Sequence, residues 1–250
     1  MSSQPYQSFK GQLDRDFNIA SMKKYVTKKT EIDKRLEQAM APFLYAGQPR
    51  VLDACCGIGH LTRLLAPSYP DASFLGVDQT PYLIEEAKSL CGGLMNVSFE
   101  TGNVEDLPTR FPSYFDVVIS RQTLSWIPSY EPMLRTLMLV TRGSIFLTSL
   151  FYEGDIDFEI KIREYQKEAG RDGFNAFYNI YSLPRFRSIA ASLGIGRIEV
   201  QDFDIGIDLP RGPIDVMGTY TITLADGKRM QMSGAIPMSW KIIRLDIGRI

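Results

Sequence analysis

The chain has 250 residues, of which 44% are hydrophobic, and its formal net charge at pH 7 is -1. This length and apolar content allow a domain with a full core, whereas the small net charge gives no general attraction to nucleic acid or to an anionic membrane. The cysteines Cys55, Cys56 and Cys91 fit neither a disulfide framework nor a zinc spacing, and the sequence has no signal core and no apolar run of membrane length. We therefore expect a cytoplasmic protein with no metal, no nucleic-acid partner and no membrane attachment.

The first 20 residues are polar, with scattered aromatic side chains and no firm period. An arm that orders over a ligand and a frayed terminus both remain open for them. Thr30 is placed to cap a helix that runs through Ala46, in which apolar residues recur at helical spacing. Several basic residues lie before and within this helix, and because Glu31, Asp33 and Glu37 are interleaved with them, we interpret the charges as a solvated helical face.

The stretch from Arg50 to Leu61 has the pattern of a buried strand, a tight glycine turn and the start of a helix. Asp53 stands where the strand emerges, and Gly57 and Gly59 allow positive φ and close approach of a ligand to the backbone. The next strand, Ser73 to Asp78, ends in an acidic residue about twenty positions on, where a carboxylate can accept both hydroxyls of a ribose. These features together predict a site for a ribose-bearing cofactor.

Strand and helix patterns then alternate, which predicts a parallel sheet with crossover helices. The third strand runs from Asn96 to Thr101, the fourth from Tyr114 to Ser120 and the fifth from Ser144 to Phe151. Because the carboxyl ends of parallel strands open onto the ligand site, we expect Ser120 and the following Arg121 to face the ligands.

The glycine turn and the two strand-end acids resemble the class I S-adenosylmethionine-dependent methyltransferases. That family's first motif is written acidic-x-Gly-x-Gly-x-Gly; here Asp53 is its acid, Gly57 and Gly59 are its second and third glycines, and Cys55 replaces the first glycine. Where the family carries a Gly-Asp pair that holds the adenine amino group, this chain has Asn103, whose amide oxygen can still accept a hydrogen bond. The resemblance covers about residues 45–150 by motif and the remainder by the order of elements.

The resemblance implies S-adenosylmethionine as cofactor and methyl transfer by in-line displacement. The residues that it places at the cofactor are Asp53, Ala54, Cys55, Gly57, Gly59, Asp78, Gln79, Asn103, Val104, Glu105, Ser120 and Arg121. On the acceptor side we predict catalytic roles for Arg121, Glu153 and Tyr181. His60 follows Gly59 in the first helical turn, where it is poorly aimed as a base, so we favour a packing or cofactor-contact role for it.

The acceptor is expected to be a hydroxyl or amine of a small molecule, with a sugar or secondary metabolite favoured. After the fourth strand the chain carries Ser-Arg-Gln-Thr and not the Asn/Asp-Pro-Pro-Tyr typical of methyltransferases that act on base amino groups. Paired glutamates such as the protein-arginine enzymes require are also missing from this strand. A small-molecule acceptor is the class that remains.

The C-terminal part is less regular. Residues 152–182 combine a strand-like alternation with a content of Glu, Lys and Gln that favours helix, and we predict a helix followed by an aromatic loop, Phe174 to Tyr181, that is either a substrate wall or core filler. We expect Arg197 to Leu209 to form one long strand with a bulge near Gln201 and Asp202. A hairpin and a final strand follow.

The predicted fold is α/β: a doubly wound, mostly parallel seven-stranded sheet with helices on both faces, an antiparallel last strand and an extra β-hairpin near the C-terminus. Residues 1–47 are expected to form an N-terminal arm and helix that cover the cofactor site. Residues 48–250 would form the Rossmann-like methyltransferase domain, with a lid insert at 152–182 and a hairpin insert at 216–233. A homodimer through that hairpin is left open.

Two other functions stay under consideration. A cofactor-binding but non-catalytic partner or regulatory subunit would account for Cys55 in place of glycine and for Asn103 in place of aspartate. A nicotinamide-dependent dehydrogenase shares the glycine turn and the ribose acid, but Thr62 stands where its third glycine is wanted. An aminopropyltransferase on the same fold is a lesser alternative.

Overall fold

The computed structural model describes residues 19–20, 22–23, 27–163, 175–212 and 218–248. The described strands are β1 (Arg50–Ala54), β2 (Ser73–Asp78), β3 (Val97–Thr101), β4 (Phe115–Arg121), β5 (Thr141–Tyr152), β6 (Lys161–Arg163), β7 (Asn175–Phe177), β8 (Tyr181–Ser182), β9 (Ile195–Asp202), β10 (Thr219–Thr223), β11 (Arg229–Ser233), β12 (Ile236–Pro237) and β13 (Trp240–Ile247). Helices that lie wholly within the described ranges are α1 (Glu31–Leu44), α2 (His60–Leu65), α3 (Pro81–Cys91), α4 (Leu107–Arg110), α5 (Glu131–Val140) and α6 (Leu183–Ser192).

The central sheet has the strand order β3-β2-β1-β4-β5-β13-β9, and the short β8 pairs with β5 away from this path. Neighbours from β3 to β5 run parallel, while β13 is antiparallel to both β5 and β9. The chain leaves β1 toward β2 and returns to its other side with β4, so the order of strands reverses at β1. Ligands of doubly wound folds bind beside such a reversal, at the carboxyl ends of the strands.

Helices cover both faces of this sheet, and each face has its own hydrophobic core. Successive residues of a strand point to opposite faces, so Val51 and Val117 lie in one core and Leu52 and Val118 in the other. The first core contains Leu36 and Met40 of α1 and Leu61 and Leu65 of α2; the second contains Leu134 and Leu137 of α5 and Phe186 of α6. The predicted doubly wound sheet with an antiparallel last strand is confirmed.

The region after β5 departs from the prediction. Residues 153–160 form no helix, and Lys161–Arg163 pair as a strand with Asn175–Phe177. The backbone amide of Phe158 donates to the carbonyl oxygen of Ile180 at 2.8 Å, and the reverse bond is 3.0 Å. The predicted helix is therefore wrong for residues 153–163, because pairing with the chain around Ile180 overrides a helix-favouring composition. The rest of the predicted helix and Phe174, the start of the aromatic loop, lie outside the described residues.

The C-terminal strands agree with the sequence in part. The strand expected to reach Leu209 ends at Asp202, and the pairing irregularity lies between Asp246 and Ile247 and not near Gln201. The predicted hairpin is confirmed by the antiparallel pairing of β10 with β11, and β12 adds a third short strand. Within the described ranges, none of the helices is long and apolar enough to cross a bilayer.

Candidate functional site

The loop between β1 and α2 is held in a left-handed backbone conformation at three positions. Cys55, Gly57 and Gly59 have φ angles of 61°, 57° and 69°, and for the non-glycine Cys55 this conformation costs roughly 1–2 kcal/mol. The amide of Cys56 donates to the carbonyl oxygen of Val77 at 3.0 Å, which fixes the loop to β2. A Cβ added at Gly57 would lie in van der Waals contact with Met22, 3.8 Å from its Sδ.

Asp78, at the end of β2, binds this loop directly. Its Oδ2 accepts the amide of Gly57 at 3.0 Å, and its Oδ1 accepts the amide of Thr80 at 2.9 Å. Each carboxylate oxygen has a second lone pair, so Asp78 can hold the loop and still accept hydroxyl groups. The ribose acid predicted from the sequence thus lies against the glycine turn.

The other predicted cofactor residues stand at the ends of neighbouring strands. Ala54 and Val104 are buried in one core, and Asn103 caps a short 3-10 turn by accepting the amide of Glu105 at 3.1 Å. Gln79 and Glu105 are exposed. Ser120 is fully buried, and its Oγ has no hydrogen-bond partner among the described residues. Buried polar atoms are normally paired, so an unpaired hydroxyl here suits a site that a ligand completes.

Asp53 is the last residue but one of β1, just before the turn. It is 3% exposed and accepts a hydrogen bond from Thr62 Oγ1 at 2.7 Å. Burial raises the pKa of this carboxyl to about 6, although the bond from Thr62 and the positive charge of Arg121 act in the opposite direction. Asp53 therefore ties α2 to β1.

We expect Asp53→Asn to remove a pH dependence of stability. The unfolded carboxyl ionises near a pKa of about 3.9, below the folded pKa of about 6, so the wild type loses stability as pH rises between these values. A difference of about two pKa units corresponds to roughly 3 kcal/mol. Urea unfolding of both proteins at pH 3.5 and pH 7 measures this. From the lower to the higher pH, the free energy of unfolding of the variant should rise by a few kcal/mol relative to that of the wild type. An equal difference at both pH values would contradict the prediction.

A buried charge cluster that the sequence analysis missed joins α1 to this region. Asp33 is fully buried, and its Oδ2 accepts Thr30 N at 3.0 Å, Thr30 Oγ1 at 2.7 Å and His60 Nε2 at 3.1 Å. Arg121 donates from Nε to Oδ1 and from Nη2 to Oδ2, the latter at 3.3 Å. Burial acts to raise the pKa of Asp33, but the bond to His60 and the Arg121 guanidinium hold it well below its usual range.

The interpretation of Asp33 as part of a solvated helical face is wrong. Glu31 does form an exposed pair with Lys34, whereas Asp33 points into the protein. A signal existed in the spacing of Thr30 and Asp33, because a hydroxyl residue followed three positions later by an acid is a capping box, and the structure has that box. A box explains the contact with Thr30 but not those with His60 and Arg121.

The three predicted catalytic residues occupy different environments. Arg121 is bound to Asp33, and its side chain is 22% exposed. Glu153, just past β5, binds Lys241 Nζ, which Asp202 also binds. Tyr181 is 4% exposed, and its hydroxyl donates to the carbonyl oxygen of Ile127 at 2.8 Å. No hydrogen bond joins these three residues in the described part of the chain, and their catalytic roles stay predictions.

Across the described ranges, no group of three or more His, Cys, Asp or Glu side chains is placed to hold a metal ion. The thiols of Cys55, Cys56 and Cys91 are free. Burial raises the pKa of the Cys55 thiol well above its ordinary value, with the charge of Asp78 adding to the shift.

Comparisons with known proteins agree with this geometry. A family model described as a methyltransferase domain matches residues 47–176. A trans-aconitate 2-methyltransferase of Methylobacterium nodulans is 30% identical over 122 residues, which is 49% of this chain and 44% of that protein. A malonyl-[acyl-carrier protein] O-methyltransferase of Geobacter sulfurreducens is 25% identical over 178 residues, which is 69% of this chain and 66% of that protein. The chain thus covers less than two thirds of the length of both relatives.

A solved structure shares the fold. The magnesium protoporphyrin IX methyltransferase of Synechocystis PCC 6803, solved with SAH bound, superposes with a TM-score of 0.53 over 96% of this chain and 90% of its own, at 16% identity. The family match covers more than half of the 250 residues, and it spans the glycine turn, Asp78 and β4. The chain belongs to the methyltransferase-domain family and has the class I fold whose cofactor is S-adenosylmethionine.

Proposed function

We propose that this chain transfers the methyl group of S-adenosylmethionine to a hydroxyl or amine of a small molecule, with a sugar or secondary metabolite favoured. The observation that carries the proposal is the contact between the Asp78 carboxylate and the amide of Gly57. This contact brings the acid that we propose for the ribose hydroxyls against the left-handed loop. Membership of the methyltransferase-domain family supports the same activity.

The residues present fit the cofactor. The loop from Cys55 to Gly59 would take the polar end of the molecule, Asp78 the ribose hydroxyls, and Asn103 with Val104 the adenine. When bound, the cofactor supplies a methyl carbon that its sulfonium has already activated. The chain then has to bring an acceptor atom into line with that carbon and exclude water, and both lower the barrier to transfer.

On the acceptor side, Arg121 is the residue that the geometry supports best. It is the last residue of the central strand β4, and two hydrogen bonds to Asp33 hold its guanidinium. Glu153 offers a 67% exposed carboxylate at the end of β5 and remains a candidate for acceptor binding. The hydroxyl of Tyr181 already binds Ile127, which favours a place for its ring in the wall of the site.

A carboxylate acceptor is a second candidate. The two relatives are named for trans-aconitate and for malonyl-[acyl-carrier protein], and both of these carry carboxylate groups. A carboxylate needs no base, because its oxygen is already a nucleophile. Arginine binds carboxylates through paired hydrogen bonds, and we propose that Arg121 receives such a group through donors other than the two that bind Asp33.

The remaining alternatives have less support. Thr62 occupies the position of the third glycine in the motif of a nicotinamide-dependent dehydrogenase. It is 1% exposed and binds Asp53, so the local fold uses a side chain at this position, which disfavours the dehydrogenase. A measurement of turnover would decide against a non-catalytic partner.

We also propose a cytoplasmic location, and a homodimer that sedimentation equilibrium would test.

We expect the purified protein to bind S-adenosylmethionine and S-adenosylhomocysteine with micromolar dissociation constants and not to bind NADH. Calorimetric titration with the three ligands measures this. A panel of sugars, phenols, amines and small carboxylic acids with methyl-labelled cofactor then tests transfer. Binding of NADH alone would contradict the proposal, and cofactor binding without transfer to any acceptor would favour the non-catalytic partner.

A further inference from the structure

The loop between β4 and α5, residues 122–130, begins directly after Arg121 and contains a 3-10 turn at Leu124–Trp126. Its first residue, Gln122, has a φ of 57°, a left-handed conformation that a non-glycine residue keeps only where its surroundings enforce it. The backbone amide of Gln122 donates to Oγ1 and to the carbonyl oxygen of Thr148, each at 2.9 Å. Strand β5 therefore fixes the start of this loop.

The turn in the middle of the loop also rests on β5. Ser125 Oγ lies 2.8 Å from Ser149 Oγ and accepts the backbone amide of Leu150 at 3.2 Å. Both serines are fully buried, so these bonds form away from solvent, where a hydrogen bond is electrostatically stronger than in water. The sheet thus holds the first half of the loop, and the second half depends on contacts from elsewhere.

Asn179 supplies those contacts. Its backbone amide donates to the carbonyl oxygen of Ser125 at 2.7 Å, and its Nδ2 donates to the carbonyl oxygen of Ile127 at 3.0 Å. The hydroxyl of Tyr181 donates to the same oxygen of Ile127 at 2.8 Å, so both lone pairs of that oxygen are used. Asn179 and Tyr181 together therefore fix the end of the loop.

The side chain of Asn179 also binds the stretch that follows β5. Its Oδ1 accepts the backbone amide of Ile160 at 3.0 Å, and its Nδ2 donates to Tyr181 Oη at 3.1 Å. Asn179 is fully buried, and both of its Nδ2 hydrogens have acceptors. A buried polar network whose members are all paired makes the elements that it joins rigid. Asn179 thus locks the loop after β4 to the chain on both sides of β7.

These contacts also indicate what the hydroxyl of Tyr181 does. Its hydrogen is donated to Ile127, and its oxygen accepts a bond from Asn179. Burial raises the pKa of Tyr181 to about 12, although the bond from Asn179 acts in the opposite direction. At neutral pH the hydroxyl therefore keeps its proton, and that proton holds the loop.

We propose that Asn179 is a positioning residue of the methyl transfer and that Tyr181 assists it in this role. The inference rests on the proposed function with Arg121 at the acceptor. Asn179 acts through the carbonyl groups of Ser125 and Ile127: it fixes the loop that starts after Arg121 and so keeps the acceptor in line with the methyl carbon. A displacement of about 1 Å far from the chemistry can cost about 100-fold in rate, so a loop that is fixed at its start alone would support transfer poorly.

The hold on the loop can be measured without cofactor or acceptor, because the chain has two tryptophans and one of them, Trp126, lies in the loop. In protein labelled with 5-fluorotryptophan, Trp240→Phe assigns the two ¹⁹F signals. Asn179→Ala should broaden or split the signal of Trp126, since the loop then samples more than one position. Ser182→Ala is the matched control, because it removes a neighbouring buried hydroxyl that caps α6 and leaves the bonds of the loop intact. A sharp, unchanged Trp126 signal in Asn179→Ala would overturn the proposal.

The kinetic test uses the same variants at a temperature below their thermal midpoints. We expect kcat/KM for the acceptor to fall at least about 30-fold in Asn179→Ala and about three- to tenfold in Tyr181→Phe, which removes one of the two donors to Ile127. The dissociation constant of S-adenosylmethionine should change less than about threefold, because Asn179 shares no partner with the cofactor loop. Ser182→Ala should keep wild-type kinetics, although the loss of a cap lowers its thermal midpoint.

The pH–rate profile distinguishes positioning by Tyr181 from a role as a base. Tyr181→Phe should keep the shape of the wild-type profile, since a hydroxyl that only holds the loop does not titrate in the reaction. A loss of about 100-fold in kcat together with the disappearance of one limb of the profile would show a general base and would contradict the positioning role of Tyr181.

The outcomes separate this proposal from the proposed function. If the wild type methylates an acceptor and Asn179→Ala keeps kcat/KM within about threefold, the positioning role is excluded and the proposed function stands. Equal losses in Asn179→Ala and Ser182→Ala would show that lost stability alone lowers the rate, which also excludes the role. Should Asn179→Ala not fold, unchanged kcat/KM in Tyr181→Phe excludes it. A wild type that binds the cofactor but methylates no acceptor contradicts the proposed function and the positioning role together.

Discussion

Asp78→Ala is expected to weaken S-adenosylmethionine binding by at least about 100-fold. The carboxylate would accept two ribose hydroxyls, and hydrogen bonds to charged groups contribute about 1.5–3 kcal/mol each. A 100-fold loss corresponds to roughly 2.7 kcal/mol, so the loss of one such bond with part of the other is sufficient. The variant also removes the acceptor for the amides of Gly57 and Thr80, which loosens the loop that meets the cofactor.

Calorimetric titration of the two proteins measures this effect, and Asp71→Ala is the matched control. Asp71 is an exposed aspartate in the turn just before β2, so its removal makes the same change of charge far from the site. Asp78→Asn should bind with intermediate affinity, because an amide oxygen replaces one acceptor while its nitrogen opposes the other donor. Asp78→Ala protein that keeps its thermal midpoint and binds within about threefold of the wild type would contradict the role of Asp78.

Local patterns predicted the part of the site that lies along single elements. The strand ending in Asp53, the turn with Gly57 and Gly59, and the strand ending in Asp78 are each read from a few consecutive residues. Parallel strands bring their carboxyl ends to one edge, so these pieces could be assembled without coordinates. The antiparallel last strand was expected from the resemblance to the methyltransferase family and not from these local patterns.

Contacts between distant elements were not predictable. The bond between Arg121 and Asp33 joins residues 88 positions apart, and it depends on how α1 docks on the sheet. An alternation of acids and bases looks the same in a solvated helix and in one that buries a single acid. The strand at Lys161–Arg163 was missed for a related reason, since its pairing partner lies beyond a stretch of helix-favouring residues.

Gly59→Ala is expected to destabilise the fold by about 3 kcal/mol. A Cβ at this position would lie 2.6 Å from Phe99 Cζ and 2.8 Å from Phe99 Cε1, and the residue has a φ of 69°. The left-handed conformation costs roughly 1–2 kcal/mol for a non-glycine residue, and overpacking of a close-packed core costs typically 1–3 kcal/mol. For a chain of this size, about 3 kcal/mol lowers the thermal midpoint by roughly 6–12 °C.

The double variant Gly59→Ala with Phe99→Leu separates the two causes. Leucine lacks the ring atoms that the new methyl group would meet, so relief of overpacking should restore part of the lost stability relative to the Phe99→Leu protein alone. The strain of the left-handed backbone stays in both backgrounds. Equal destabilisation by Gly59→Ala with phenylalanine and with leucine would show that φ alone demands this glycine. A Gly59→Ala protein as stable as the wild type would contradict both contributions and the close packing of β3 against the cofactor loop.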